Sequence, residues 1–265
     1  MDLANLCQLV IALVKNTGQY IREESAHNKR IEVKGKNDFV THIDKGSEAR
    51  LVAGLSKLLP EAGFVAEEGT SDKKGERYNW IIDPIDGTTN FIHGLSPHAI
   101  SVALEDGKEI VLGVIYELGL DECFYTWKGA PAYMNGEKIS VSEAAKVEDS
   151  LLATGFPYSD YSKMDGFMES LDYFMKNSHG LRRLGSAATD MAYVACGRFE
   201  GFYEYGLKPY DVAAGVILVQ NAGGYNCDFS GGEDYIYGQE IIAANASIFD
   251  EFKGVIKHLM SKDKK

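Results

Sequence analysis

Trp80-Ile81-Ile82-Asp83-Pro84-Ile85-Asp86-Gly87-Thr88-Thr89-Asn90-Phe91 joins an apolar run, a proline, two carboxylates three positions apart and a Gly-Thr-Thr turn. Trp80-Ile81-Ile82 has the composition of a buried strand. Pro84 has no N–H to give a sheet ladder and biases Asp83 away from helix, so the strand is expected to stop there. Asp83 and Asp86 then stand where the chain leaves the sheet, beside a Gly87 that lets backbone amides approach a ligand closely. Carboxylates suit hard divalent cations and exposed amides suit anions, a combination that serves metal-assisted phosphate chemistry. Taken alone, the same residues also fit an Asp-Gly turn closing a strand.

Upstream, Leu3, Leu6, Leu9, Val10, Leu13, Val14, Thr17, Tyr20 and Ile21 recur at helical spacing and predict a long helix ending by about His27. A basic, polar segment from Asn28 to Asp38 reads as a loop or hairpin. Val40 to Asp44 leads into a second helix carrying Leu51, Leu55 and Leu58 and stopping near Pro60. Gly63 to Ala66 is a short strand with Glu67 and Glu68 at its end. Downstream, Ala99–Leu104, Ile110–Tyr116 and Glu122–Trp127 read as an antiparallel meander, with Asn135-Gly136 as a hairpin signal. After Val147 strands and helices alternate: strand 151–154, helix 160–176, helix 187–196, strand 199–205, helix 212–222, strands 225–229 and 241–244, and a helix to about Met260. That alternation predicts a second, layered α/β unit. The boundary is placed near residue 146, dividing an N-terminal α+β unit (1–146) from a C-terminal α/β unit (147–265).

Four segments in order resemble the inositol monophosphatase family, which comprises magnesium-dependent, lithium-sensitive-type phosphatases of small phosphorylated molecules. They are Asp38 to Asp44, Val65-Ala66-Glu67-Glu68-Gly69, the Asp83 stretch, and Tyr210-Asp211-Val212-Ala213-Ala214-Gly215 running on to Ala222-Gly223-Gly224. The resemblance implies an α+β fold, a layered α-β-α-β-α sandwich with the active site in the cleft between the halves. It implies two to three Mg²⁺ ions. Glu67, Asp83 and the Ile85 carbonyl hold the first, and Asp83, Asp86 and Asp211 the second. A third, weaker ion lies near Glu67.

Asp44 and Thr88 resemble the pair that positions the attacking water, with Glu67 alongside them in catalysis; a cap at the start of the second helix is the other role open to Asp44. Phosphate is expected on the amides of Gly87 and Thr88, with Asp86 and Asp211 also facing substrate. Gly185, Ser186, Ala187 and Glu204 match the family's polyol-selecting residues. Lys34 and Lys36 are placed near the mouth of the site but outside the core assignment. His93 reads as a structural histidine.

Inositol 1-phosphate is the expected substrate, since Thr89-Asn90 matches the inositol branch. Fructose 1,6-bisphosphate, 3′-phosphoadenosine nucleotides, histidinol phosphate or other sugar phosphates are the alternatives. A non-catalytic dimeric interaction protein is the reading from another class. The resemblance also implies a homodimer, for which the Phe124, Tyr125 and Trp127 edge is either the surface or part of the core.

Composition agrees with an ordinary globular protein: 265 residues, 45% hydrophobic and 25% charged. A formal net charge of −12 argues against a broad surface for nucleic acid or anionic membrane. Cys7, Cys123, Cys196 and Cys227 form no CxxC or Cys/His cluster, which points to buried thiols in a reducing compartment. With no secretory pattern and no apolar run of membrane length, the cytoplasm is the expected location.

Overall fold

The computed structural model describes residues 1–26, 31–35, 38–158 and 160–261. Helix α1 (Leu3–Ser25) opens on Asp2, whose side chain accepts from the Asn5 amide, and buries Leu6, Val10, Val14 and Ile21 along one stripe. His27, the expected end of this helix, lies outside the described residues. Strands β1 (Ile31–Gly35) and β2 (Asp38–Thr41) form an antiparallel hairpin. Lys36 is outside the described residues, and Lys34 is described only by its place in β1. Helix α2 (His42–Leu58) follows directly.

The first sheet contains β3 (Gly63–Ala66), β4 (Tyr78–Asp86), β5 (Ala99–Asp106), β6 (Glu109–Glu117), β7 (Glu122–Trp127), β8 (Tyr133–Met134) and β9 (Glu137–Lys138), in that order across the sheet. The short helix α3 (Thr88–His93) lies between β4 and β5. Asn135 and Gly136, both at positive φ, close the β8–β9 hairpin as the sequence indicates.

The second sheet contains β10 (Leu151–Thr154), β11 (Gly180–Arg182), β12 (Gly201–Tyr205), β13 (Gly224–Cys227) and β14 (Glu240–Asn245), ordered β11-β10-β12-β14-β13. Its helices are α4 (Met164–Asn177), α5 (Ala187–Ala195), α6 (Pro209–Asn221) and α7 (Phe249–Met260).

Alternating side chains sort these elements into layers. Trp80, Ile82, Val102, Leu104 and Val114 face α1 and α2 in one apolar cluster. Ile81, Ala103 and Ile115 face the opposite way, joining α5, α6 and the inner side chains Phe202, Ile241 and Ala243 of the second sheet. Tyr203, Ile242 and Ala244 point outward onto α4 and α7. The result is a five-layer α-β-α-β-α sandwich, with α5 and α6 in the middle.

Three readings need correction. First, β4 does not stop at Asp83 but runs to Asp86. Its register with β5 jumps from Asp83↔Ser101 to Asp86↔Ala99, so one extra residue is accommodated at Pro84, where the ladder has no donor to lose. Second, α6 starts at Pro209 rather than at residue 212, a proline being suited to a first helical turn, which puts Asp211 inside the helix as its third residue. Third, β11 was not anticipated; three residues carry too little periodicity to read. Of the apolar edge on β7, Phe124 is buried in the middle layer, while Tyr125 and Trp127 stack on Tyr133 at 5.3 and 6.0 Å.

Candidate active site

The bulge in β4 does more than end a ladder. In a regular strand, residues three apart point to opposite faces. One inserted residue reverses that parity and brings Asp83 and Asp86 to the same side. Asp211, delivered by the first turn of α6, joins them. One carboxylate oxygen from each of Asp83, Asp86 and Asp211 lies within 4.8 Å of the others.

Each carboxylate has a fixed anchor. Asp83 Oδ1 accepts from its own turn, at the Ile85 amide (2.9 Å). Asp86 Oδ2 accepts from Ser186 Oγ (2.6 Å) and the Ala188 amide (2.8 Å), which places it at the positive end of α5. Asp211 Oδ2 accepts from the Lys208 amide (2.6 Å), so it caps α6 as well as facing the cluster.

Burial holds all three carboxyls above their ordinary values, and like charge adds to it at Asp83 and Asp211. Asp83 is raised well above the carboxylate range by burial first, then by the charges of Glu67, Asp86 and Asp211. Burial pushes Asp86 up to about 6 against the lowering effect of its hydrogen bonds from Ser186 and Ala188. Asp211 is pushed up to about 7 by burial and the Asp86 charge. Close-packed acids with this much uncompensated repulsion are the donor set that a hard divalent cation relieves. Glu67, at the end of β3, stands outside this trio of oxygens, but its charge acts directly on Asp83.

Beside the cluster, Thr88 opens α3. Gly87 precedes it at φ 89°, a left-handed conformation open to glycine, and a Cβ there would press on the carbonyl oxygens of Gly185 and Pro97. Thr88 Oγ1 lies 3.2 Å from Asp44 Oδ1 and 3.0 Å from the Ile85 carbonyl oxygen. Asp44 is fully buried in the first turn of α2. The helix cap there is Thr41, not Asp44; the Thr41 amide donates to Asp44 Oδ2 at 2.9 Å, and its hydroxyl donates to the same oxygen. Asp44 therefore supports the helix start with one oxygen and reaches Thr88 with the other. Burial raises its carboxyl above the usual range.

A cleft of about 390 Å³ opens above these groups. Glu67, Asp86, Gly87, Thr88 and Asp211 line one side, and Gly185, Ser186, Ala187 and Glu204 the other. Asp44, Asp83 and Ile85 are buried behind its wall. Glu204 comes from β12, and its carboxylate occupies the space beside Gly155 that a Cβ would fill. Burial, then the charges of Asp211 and Asp86, raise its carboxyl well above the ordinary range. Ser186, expected to meet a substrate, commits its hydroxyl to Asp86. His93 is exposed and outside the cleft lining.

Several neighbours escaped the sequence reading. Arg183 lines the cleft with its guanidinium over the rings of Phe156 (5.3 Å) and Tyr158 (5.5 Å). Asp190, one turn into α5, is buried and raised well above its usual range by burial and by Glu204 and Asp86. Asn90, named in the sequence for its match to the inositol branch, also has a structural part: its Nδ2 donates to the Pro97 and Leu184 carbonyls, both at 2.8 Å, tying α3 to the loop that carries Gly185. Neither the Gly155-Phe156-Pro157-Tyr158 string nor Arg182-Arg183 has a spacing that marks a site.

Comparison with known proteins places the chain in a family. A family model described as the inositol monophosphatase family matches residues 2–261. The chain belongs to the inositol monophosphatase family. An inositol-1-monophosphatase of Mesorhizobium japonicum is 40% identical over 222 residues, covering 83% of this chain and 84% of the relative. A Nus factor SuhB of Vibrio cholerae is 34% identical over 257 residues, 96% of this chain and 95% of its own length. Among solved structures, the extragenic suppressor protein suhB of Bartonella henselae superposes with a TM-score of 0.89 at 36% identity, covering 94% of this chain and 97% of that one. A Thermotoga maritima IMPase gives a TM-score of 0.86 at 37% identity, covering 94% and 95%. The inositol monophosphatase family thus contains relatives named for hydrolysis and relatives named as Nus factors.

Proposed function

We propose that this protein is a Mg²⁺-dependent phosphomonoester hydrolase that releases phosphate from inositol 1-phosphate. The carrying observation is the convergence of Asp83, Asp86 and Asp211 on one point beside the Thr88–Asp44 pair. In this reading Asp83, Asp86 and Asp211 would hold one ion, and Glu67, Asp83 and the Ile85 carbonyl would hold another. Bound there, Mg²⁺ supplies positive charge that acidifies a water and neutralises the leaving oxygen.

The chain's own groups orient that water. The single hydroxyl hydrogen of Thr88 points at Asp44 Oδ1 or the Ile85 carbonyl, so the lone pairs of Oγ1 are left to accept from the water. Asp44, with its carboxyl raised by burial, is the base that takes the proton through Thr88. The amides of Gly87 and Thr88, at the start of α3, hold the phosphoryl oxygens. Glu204 accepts from substrate hydroxyls across the cleft, and a polyol lacking the matching hydroxyl leaves it unpaired.

Retention of all four acidic ligands favours hydrolysis over a purely structural role of the kind the Nus-factor names evoke. The same reading makes the protein a cytoplasmic homodimer. Its test is phosphate release from inositol 1-phosphate, fructose 1,6-bisphosphate and adenosine 3′,5′-bisphosphate, with Mg²⁺ or with chelator. Mg²⁺-dependent release that is fastest on inositol 1-phosphate supports the proposal. Equal rates with chelator, or no release from any of the three, defeats it.

A further inference from the structure

Helix α2 carries a second buried acid one turn beyond Asp44. Glu48 is fully buried, and its two oxygens face the loop that leaves β3. Oε2 accepts from the Glu68 amide at 2.7 Å, and Oε1 accepts from the Thr70 amide at 2.7 Å and the Thr70 hydroxyl at 2.8 Å. Glu67 lies at the head of this loop. Its own amide is held by the Ile82 carbonyl (3.2 Å), the residue before Asp83. From Glu68 onward the chain leaves the sheet and turns at Gly69, which has φ 65°. The carboxylate of Glu48 is thus the anchor that takes over where the β3–β4 ladder ends.

We infer that Glu48 is a positioning residue for metal binding, fixing the Glu67 loop so that the Glu67 carboxylate is held toward Asp83. The inference rests on the metal site proposed above. Residues at i and i+4 share one face of a helix. Asp44 and Glu48 therefore make α2 a rigid bar that sets Thr88 and Glu67 at a fixed separation. A carboxylate is well suited to this task because it accepts on both oxygens, whereas glutamine presents an NH₂ to one of the two donor groups. Groups that orient metal ligands through hydrogen bonds typically account for 10- to 100-fold in affinity when removed.

The test is calorimetric titration of the metal-free protein with Mg²⁺, using wild type, Glu48→Gln and Thr70→Val, with thermal unfolding recorded on each. Thr70 is exposed, and its valine variant removes one of the three bonds while leaving the backbone in place. Glu48→Gln is expected to weaken Mg²⁺ binding by roughly 10- to 100-fold. Thr70→Val is expected to shift it less, in the same direction. Turnover of both variants recovers as Mg²⁺ is raised, with an unchanged KM for substrate, at a temperature where the unfolding curves show each metal-free variant fully folded, so that ligand rescue of a destabilised fold is not the cause. Folded variants with the wild-type Mg²⁺ isotherm overturn the inference. Should Glu48→Gln not fold, the Thr70→Val isotherm decides alone by the same criterion. A wild-type protein that takes up no Mg²⁺ strikes instead at the metal site itself.

Discussion

Raising the pH of the metal-free protein should destabilise it, and the size of the effect follows from the buried carboxyls. Asp86 is displaced from an ordinary 3.8 to about 6, and Asp211 from 3.8 to about 7. A carboxyl with a raised folded-state value binds more protons in the native state than in the unfolded chain between those two limits. Stability therefore falls as pH rises through that window, from about 4 to about 6 for Asp86 and on to about 7 for Asp211. At about 1.4 kcal/mol per unit of displacement, Asp86 alone accounts for a loss of about 3 kcal/mol. With a urea slope of about 3 kcal/mol/M, the midpoint drops by about 1 M.

The assay is urea unfolding in chelator from pH 4.5 to 8, followed by fluorescence, for which the fully buried Trp80 is a reporter. Saturating Mg²⁺ binds the ionised carboxylates of the native state and should offset the loss at high pH. Asp86→Asn keeps an acceptor for Ser186 and Ala188 but removes the titrating group, so its pH slope should be shallower. A metal-free midpoint that stays flat or rises from pH 4.5 to 7.5, or an Asp86→Asn slope equal to wild type, refutes the reasoning.

Other substitutions probe the cleft separately. Thr88→Val keeps the shape of the α3 start but removes the water-orienting oxygen; kcat should fall by roughly 10²–10⁴-fold with little change in KM, as steady-state kinetics will register. Glu204→Gln should raise KM for inositol 1-phosphate far more than for a small non-polyol phosphate ester, measured by comparing the two substrates. Gly155→Ala drives a Cβ into the Glu204 carboxylate and should reproduce the selectivity loss of Glu204→Gln with the glutamate still present.

Most of the site was legible because its chemistry is concentrated in short strings. Asp83, Asp86, Gly87 and Thr88 lie within six residues, and Glu67 and Asp211 each stand at the edge of an apolar element that fixes its place. The long periodic runs of α1, β5 and β6 were legible for the same reason. What escaped depends on contacts with no local signature. Pro84 signals a break in pairing, but nothing in the string says that the break is a one-residue bulge, and the bulge is what turns both aspartates to one face. Glu48 looks like an ordinary polar helix residue until the loop from Glu68 to Thr70 folds onto it. Arg183 and Asp190 acquire meaning only when β12 and α5 bring them beside Glu204. β11 is too short to carry a pattern, and it forms because β10 offers it an edge.

The central claim is that the Asp83-centred cluster binds Mg²⁺ and that this binding drives phosphate release. Turnover of inositol 1-phosphate by wild type and Asp83→Asn, each assayed in chelator and in saturating Mg²⁺, tests it most directly. The account predicts turnover in one of the four conditions only, wild type with Mg²⁺. Phosphate release that persists in chelator, or an Asp83→Asn protein turning over near the wild-type rate, contradicts it.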